Sequence, residues 1–221
     1  MKEGILIVNK PDGMTSHDVV DRVRRKFQMK RVGHAGTLDP LATGVLVVLV
    51  GKATKLFDQF VSFDKAYRAT LLLGMKTTSA DTEGEVTGTR PYSHITTEMI
   101  QEAFKQFTGE IEQIPPMFSA VKKNGKKLYQ LARQGKVVER VARKIKIRKL
   151  QLEGVDLPEV RFYLECSKGT YVRQLAEDIG AALECGACIS QIERTSVGEF
   201  SINDAINLDD IHESHILNWQ P

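Results

Sequence analysis

Long hydrophobic runs are scarce in this sequence. The apolar run at Ile5 to Val8 is too short and too soon interrupted to serve as a signal-peptide core or a membrane span. The expectation is a cytoplasmic protein with no membrane partner. Cysteine is equally sparse, with only Cys166, Cys185 and Cys188. An odd number without a secretion signal argues against a disulfide framework. Cys185-Gly-Ala-Cys188 has CxxC spacing, but no second pair or flanking histidine pair completes a zinc site, so reduced thiols are expected. The dinucleotide pattern G-x-G-x-x-G is missing, as are H-E-x-x-H and the paired motifs of the zinc deaminases. Gly51-Lys52-Ala53-Thr54 touches on a phosphate-binding loop and fails it: Gly44 lies too far upstream, and Ala53 stands where a magnesium-binding hydroxyl is needed. No cofactor and no metal are expected. Net charge is also small, at +3, so local placement of charge matters more than its total for an anionic partner.

The 221 residues are 42% hydrophobic and 27% charged, the balance of a globular chain able to bury a core without metal or disulfides. Ile5 to Val8 reads as a buried strand, followed by a Lys10-Pro11-Asp12-Gly13 turn. Thr15 or Ser16 can cap a helix that buries Val19, Val20, Val23 and Phe27 and exposes a basic face. Val45 to Val50 suits a strand covered on both sides, and Ala66 to Leu73 another. Thr96 to Phe107 reads as a helix with Met99, Ile100, Ala103, Phe104 and Phe107 inward, closed by Gly109. Leu128 to Gln134 reads as a short helix closed by Gly135. Val160, Phe162, Leu164 and Cys166 alternate with polar residues as in a half-buried strand. Tyr171 to Leu183 has helical periodicity, with Gly180 a counter-signal. Strands and helices intermix without strict alternation, which predicts an α+β fold. With no repeat and no long linker, one domain over 1–221 is expected.

The densest group of special residues is His34 to Gly44, read as a glycine-rich loop open to a ligand. Asp39 is ordinarily an anion at neutral pH and can attack carbon without an activating base. Asp39-Pro40 is also a common turn opener, and spacing alone favours that reading. Tyr67 can stack on a base or simply fill a strand face. Tyr171 and Arg173 stand at a strand-to-helix junction, where Arg173 can pair with a carboxylate or lie on the surface. From Met117 to Lys149, basic residues including Arg133, Arg140, Arg143, Lys144, Lys146 and Arg148 interleave with Phe118 and Tyr129. That clustering favours RNA phosphate contact with base stacking.

Together these segments resemble a family, the bacterial tRNA pseudouridine synthase B enzymes. The resemblance runs through Gly4-Ile-Leu-Ile-Val-Asn-Lys-Pro11, Gly33-His-Ala-Gly-Thr-Leu-Asp-Pro-Leu-Ala-Thr-Gly44, Lys65-Ala-Tyr-Arg68, Gln113-Ile-Pro-Pro-Met-Phe-Ser-Ala120, Cys166-Ser-Lys-Gly-Thr-Tyr-Val-Arg173 and Cys185-Gly-Ala187. It implies isomerisation of uridine 55 in the tRNA T-loop, on a pseudouridine synthase fold whose central mixed, largely antiparallel sheet is flanked by helices. It further implies Asp39 as nucleophile toward either the sugar C1′ or the uracil ring. Tyr67 corresponds to the tyrosine stacked on the flipped base and placed to move a proton, and Arg173 to the arginine paired with the nucleophile. Tyr171 and Ile192 correspond to pocket residues around the base, with Ile192 replacing a leucine of similar volume. His34 corresponds to the residue that fills the space left by the extruded nucleotide. Lys122 to Arg148 falls in the RNA-gripping region, and the T-arm of tRNA is the implied partner. Many family members carry a C-terminal RNA-binding domain of the PUA type. This chain is expected to be a form without it, ending after one more helical stretch at Pro221 with no sign of a following domain in Asn207 to Leu217, and to act as a monomer without a protein partner.

Overall fold

The structure is a computed structural model that describes residues 2–119, 121–123, 125–132 and 134–219, and at Lys122 and Lys127 the backbone alone. Arg133 of the basic stretch and Ala120 of the fourth motif lie outside the described residues. Packing sorts the chain into two compact units, one of Met1–Arg68 with Gln191–Pro221 and one of Ala69–Ser190.

In the first unit, strand β1 (Gly4–Lys10) leads through the proline turn to helix α1 (Ser16–Lys26). Thr15 caps that helix: its hydroxyl accepts from the Asp18 amide at 3.1 Å while the Asp18 carboxylate accepts from the Thr15 amide at 2.8 Å. The Thr15 hydroxyl also donates to the Asp18 carboxylate at 2.6 Å, and this bond, followed by that from the Thr15 amide, holds the carboxyl below its ordinary pKa. Strands β2 (Val32–Ala35) and β3 (Thr43–Val50) follow, then helix α2 (Phe57–Ser62) and strand β4 (Lys65–Leu73), which runs on into the second unit. β3 pairs antiparallel with β1 and with β2. Because β3 is covered on both faces, its Val-rich run contributes to two cores. Leu46, Val48 and Val50 pack with Val19, Val20 and Val23 of α1, and Val45, Val47 and Leu49 pack with Ile5, Ile7 and Phe60. Each such side chain contributes about 1.5–3 kcal/mol by leaving water.

The second unit contains the hairpin β5 (Met75–Thr77) with β6 (Val86–Thr89), helix α3 (Thr97–Gln106), and strand β7 (Gly109–Gln113). Beyond these come the two-residue strands β8 (Lys122–Lys123) and β9 (Lys126–Lys127) and helix α4 (Leu128–Ala132). Strands β10 (Arg143–Asp156) and β11 (Glu159–Cys166) and helix α5 (Val172–Ala182) complete it, together with the first part of β12 (Ala187–Val197). β10 pairs antiparallel with β7 and β11, and Phe104 of α3 meets Phe162 of β11 edge to face at 5.9 Å between ring centres. The end of β12, β13 (Phe200–Ser201) and β14 (Ile206–Asn207) belong to the first unit. There β14 pairs parallel with β1, and β12 parallel with β3. Parallel and antiparallel ladders mix, with helices beside them: the α+β expectation is borne out.

Several details differ from expectation. Met99 is 39% exposed, because the buried stripe of α3 is Ile100, Ala103 and Phe104 and Met99 points about a quarter-turn away. Gly33 and His34 are not loop residues; the ladder to Leu49 and Val48 draws them into β2. The stretch after Asn207 is no α-helix. β1 captures Ile206 and Asn207 as a strand, a single 3-10 turn spans Glu213–His215, and Leu217 bridges to Ile5. Gly180, out of place by helix propensity, is required by packing: a Cβ there would lie 2.2 Å from the Ala187 amide nitrogen. All three cysteines are buried and outside any disulfide, and burial pushes the Cys188 thiol up to about 11.

Candidate active site

Asp39 sits in the connection 36–42 between β2 and β3, and the surrounding unit fastens that connection one carbonyl after another. The buried Ser16 hydroxyl accepts from the Leu38 amide at 2.8 Å and donates to the Leu38 carbonyl at 3.0 Å. Lys10 is wholly buried, and its ammonium donates to the carbonyls of Pro11 at 2.7 Å, Met14 at 2.5 Å and Pro40 at 3.1 Å. The Pro40 carbonyl also accepts from the Gly13 amide, and the Asp39 carbonyl from Ala42, each at 3.1 Å. Leu38 and Ala42 turn inward into the core beneath α1. Asp39 between them keeps partial access to solvent. A carboxylate on a backbone held this firmly needs little reorganisation to meet a reacting carbon.

Arg194 holds the two ends of the same connection, from Nη2 to the Gly36 carbonyl at 3.0 Å and from Nε to the Val45 carbonyl at 2.8 Å. Ile192, two residues earlier on β12, packs against the Leu38 and Ala42 core, and its carbonyl lies 3.5 Å from the Thr43 hydroxyl. Ile192 and the Asp39 loop are thus brought together. His34 stands on β2, immediately before the loop, and Tyr67 on β4 is 8% exposed.

Tyr171 and Arg173 belong to the second unit. The buried Gln113 side chain clasps the Tyr171 backbone, donating to its carbonyl at 3.1 Å and accepting from its amide at 2.8 Å, which sets the start of α5. Arg173, in the first turn, is buried rather than a surface residue. It forms an ion pair with the buried Asp81 at 3.3 Å and donates to the carbonyls of Ser79 at 2.7 Å and Phe118 at 3.0 Å. Asp81 in turn accepts from the Ser79 hydroxyl and, at 3.2 Å, from the Glu83 amide. Ser79, Asp81 and Phe118 also line a cavity of about 610 Å³, with Glu83, Met117 and Lys136 on its other walls.

The basic stretch is partly compensated from within. Across the β7–β10 ladder Lys144 faces Glu112 and Lys146 faces Glu110, the latter pair at 3.7 Å. Arg140 donates to the Pro115 carbonyl, and the Lys149 ammonium lies 5.3 Å from the Tyr163 ring centre. Sequence reasoning missed Lys10, Ser16, Gln113, Asp81 and Arg194 as supports. Nothing near Lys10 or Arg194 announces their burial, because the acceptors that tie them to the Asp39 connection and its flanks, Pro40, Gly36 and Val45, lie 30 or more residues away in sequence.

The family model described as TruB family pseudouridylate synthase, N-terminal domain, matches residues 24–172. The chain belongs to this family. A second family model, the tRNA pseudouridylate synthase B C-terminal domain, matches residues 173–220. Among curated relatives, the tRNA pseudouridine synthase B of Geotalea uraniireducens (strain Rf4) is 52% identical, over 94% of this chain and 67% of the relative. That of Burkholderia pseudomallei (strain 668) is 48% identical, over 94% and 68%. Among solved structures, a Cbf5-Nop10-Gar1 complex matches with a TM-score of 0.73 at 31% identity, covering 94% of this chain and 53% of that chain. An H/ACA RNP bound to a substrate RNA containing 2′-deoxyuridine matches at 0.70 and 27%, covering 94% and 51%. The chain spans about half the length of those solved chains. Family members are pseudouridylate synthases by name, and no helix among the described residues is long and apolar enough to cross a membrane.

Proposed function

We propose that this protein, acting as a single catalytic domain over 1–221, isomerises uridine 55 in the T-loop of tRNA to pseudouridine with Asp39 as nucleophile. The observation that carries the reading is the Asp39 connection itself, a half-exposed carboxylate on a backbone pinned by Ser16, Lys10 and Arg194. Relatives named tRNA pseudouridine synthase B at about half identity support the substrate class. The reaction breaks the bond from C1′ to N1 and forms one from C1′ to C5, with the C5 proton lost and N1 gaining one. The Asp39 carboxylate attacks C1′ or the uracil ring to free the base for rotation. Tyr67 stacks on the flipped base and Tyr171 and Ile192 wall its pocket, while His34 fills the vacated space and offsets unstacking. Arg173 serves the nucleophile's carboxylate, and the exposed Lys and Arg residues between 117 and 149 hold T-arm phosphates. The protein works as a cytoplasmic monomer and needs no metal or cofactor.

The test is Asp39→Ala assayed on a T-arm transcript. Pseudouridine formation is expected to vanish while tRNA affinity stays within about threefold; retained turnover removes Asp39 from the mechanism. A transcript whose T-loop uridine is replaced by cytidine should go unmodified, and modification elsewhere in it overturns the choice of position.

A further inference from the structure

Arg194 is the largest fully buried side chain among the described residues, 1% exposed. Its guanidinium forms no carboxylate pair among the described residues and is held by two backbone carbonyls, Val45 at 2.8 Å and Gly36 at 3.0 Å. Withdrawing a guanidinium from water without a counter-ion is unfavourable unless its N–H groups find well-aimed acceptors. Joining β12 to β3 does not require such a group, because the backbone ladder already pairs Glu193 with Thr43 and Arg194 with Gly44. The Gly36 bond does something the ladder cannot, since it reaches across to the other end of the Asp39 connection.

Both glycines that bound the connection lie against this one residue. Gly36 has φ +85°, and a Cβ there would stand 3.5 Å from Arg194 Nη1. Gly44 has φ +97°, and a Cβ there would stand 2.3 Å from the Arg194 carbonyl oxygen. The backbone of Arg194 seats the exit of the loop and its side chain seats the entry. We propose that Arg194 is a positioning residue for the nucleophile: by clamping the Gly36 and Val45 carbonyls in one planar fork, it fixes where the Asp39 carboxylate sits. The inference rests on the proposed function and extends it to a residue that does not touch substrate. A lysine keeps the charge but lacks the planar fork that spans two acceptors at a set separation.

The experiment measures single-turnover pseudouridine formation, tRNA affinity and thermal melting for the wild type and Arg194→Lys in the full chain. Misplacing a reacting group by about 1 Å lowers rates about 100-fold. Arg194→Lys is therefore expected to fold and bind tRNA within about twofold of wild type while its rate falls about 100-fold. A folded variant with wild-type rate overturns the proposal, as does loss of affinity in proportion to rate. If Arg194→Lys does not fold, Arg194→Ala is assayed with added methylguanidinium, which should restore melting temperature and rate together. Melting temperature regained without rate, or neither regained, overturns the positioning role. An inactive wild type sinks the functional reading as well, whereas an active wild type matched by Arg194→Lys sinks this inference alone.

Discussion

Residues 36–42 and residues 114–142 both connect strands, and they are built in opposite ways. In the first, the carbonyls of Gly36, Leu38, Asp39 and Pro40 all have donors within their own unit, three of those donors being buried side chains. In the second, regular structure among the described residues amounts to β8, β9 and α4, and Val137 and Val141 stand 81% and 82% exposed. The contrast fits the proposed function, in which bond-making at carbon rewards a fixed carboxylate, while contact with a long polyanion rewards many exposed charges of which each contributes little.

Hydrogen exchange should display the contrast most strongly. The Leu38 amide, bonded to a buried hydroxyl, should exchange about a thousandfold or more slowly than the amides of 137–139. Comparable rates would erase the distinction between the segments. Lys10→Met should come next in size. It leaves the carbonyls of Pro11, Met14 and Pro40 short of a donor in a buried site, and denaturant unfolding should register a loss of about 3 kcal/mol or more. A loss under about 1 kcal/mol would mean that water replaces the ammonium. Ser16→Ala removes a single hydroxyl that serves both polar groups of Leu38, and should cost about 1–2 kcal/mol by the same measurement.

The smallest effect concerns the second unit's own core. Burial raises the Cys188 thiol from its ordinary 9.0 to about 11. Between those values the unfolded chain has lost a proton that the folded one keeps, so unfolding releases it and stability falls as pH rises from about 9 to about 11. Cys188→Ala should flatten that slope in urea titrations at successive pH values; an unchanged slope assigns it to other groups.

Much of the scaffold was legible in periodicity. The cap at Thr15, the Val-rich β3 and the alternation of β11 are local patterns, set by neighbours within a few residues, and they appear where the pattern places them. Local reasoning failed where tertiary partners decide. Gly180 weakens a helix by propensity, yet the Ala187 backbone leaves no room for a side chain. Asn207 onward has helix-compatible spacing, yet β1 offers an edge that takes Ile206 and Asn207 as a strand. In the candidate site, Asp39 stood out because glycines and a proline crowd around it. Its supports did not, since nothing near Lys10 or Arg194 in sequence announces that carbonyls 30 and 158 residues away will receive their hydrogens.

The way the Asp39 connection is fastened also bears on how this segment can vary. Connections between strands ordinarily tolerate insertion, because their ends are fixed and their middles face solvent. Here the donors come from β1, the start of α1 and β12, and each meets a particular carbonyl between Gly36 and Pro40. Adding or removing one residue would shift every later carbonyl past its donor, and the glycines at 36 and 44 would no longer meet Arg194. The length of residues 36–42 is therefore as strictly set as the register of the strands on either side.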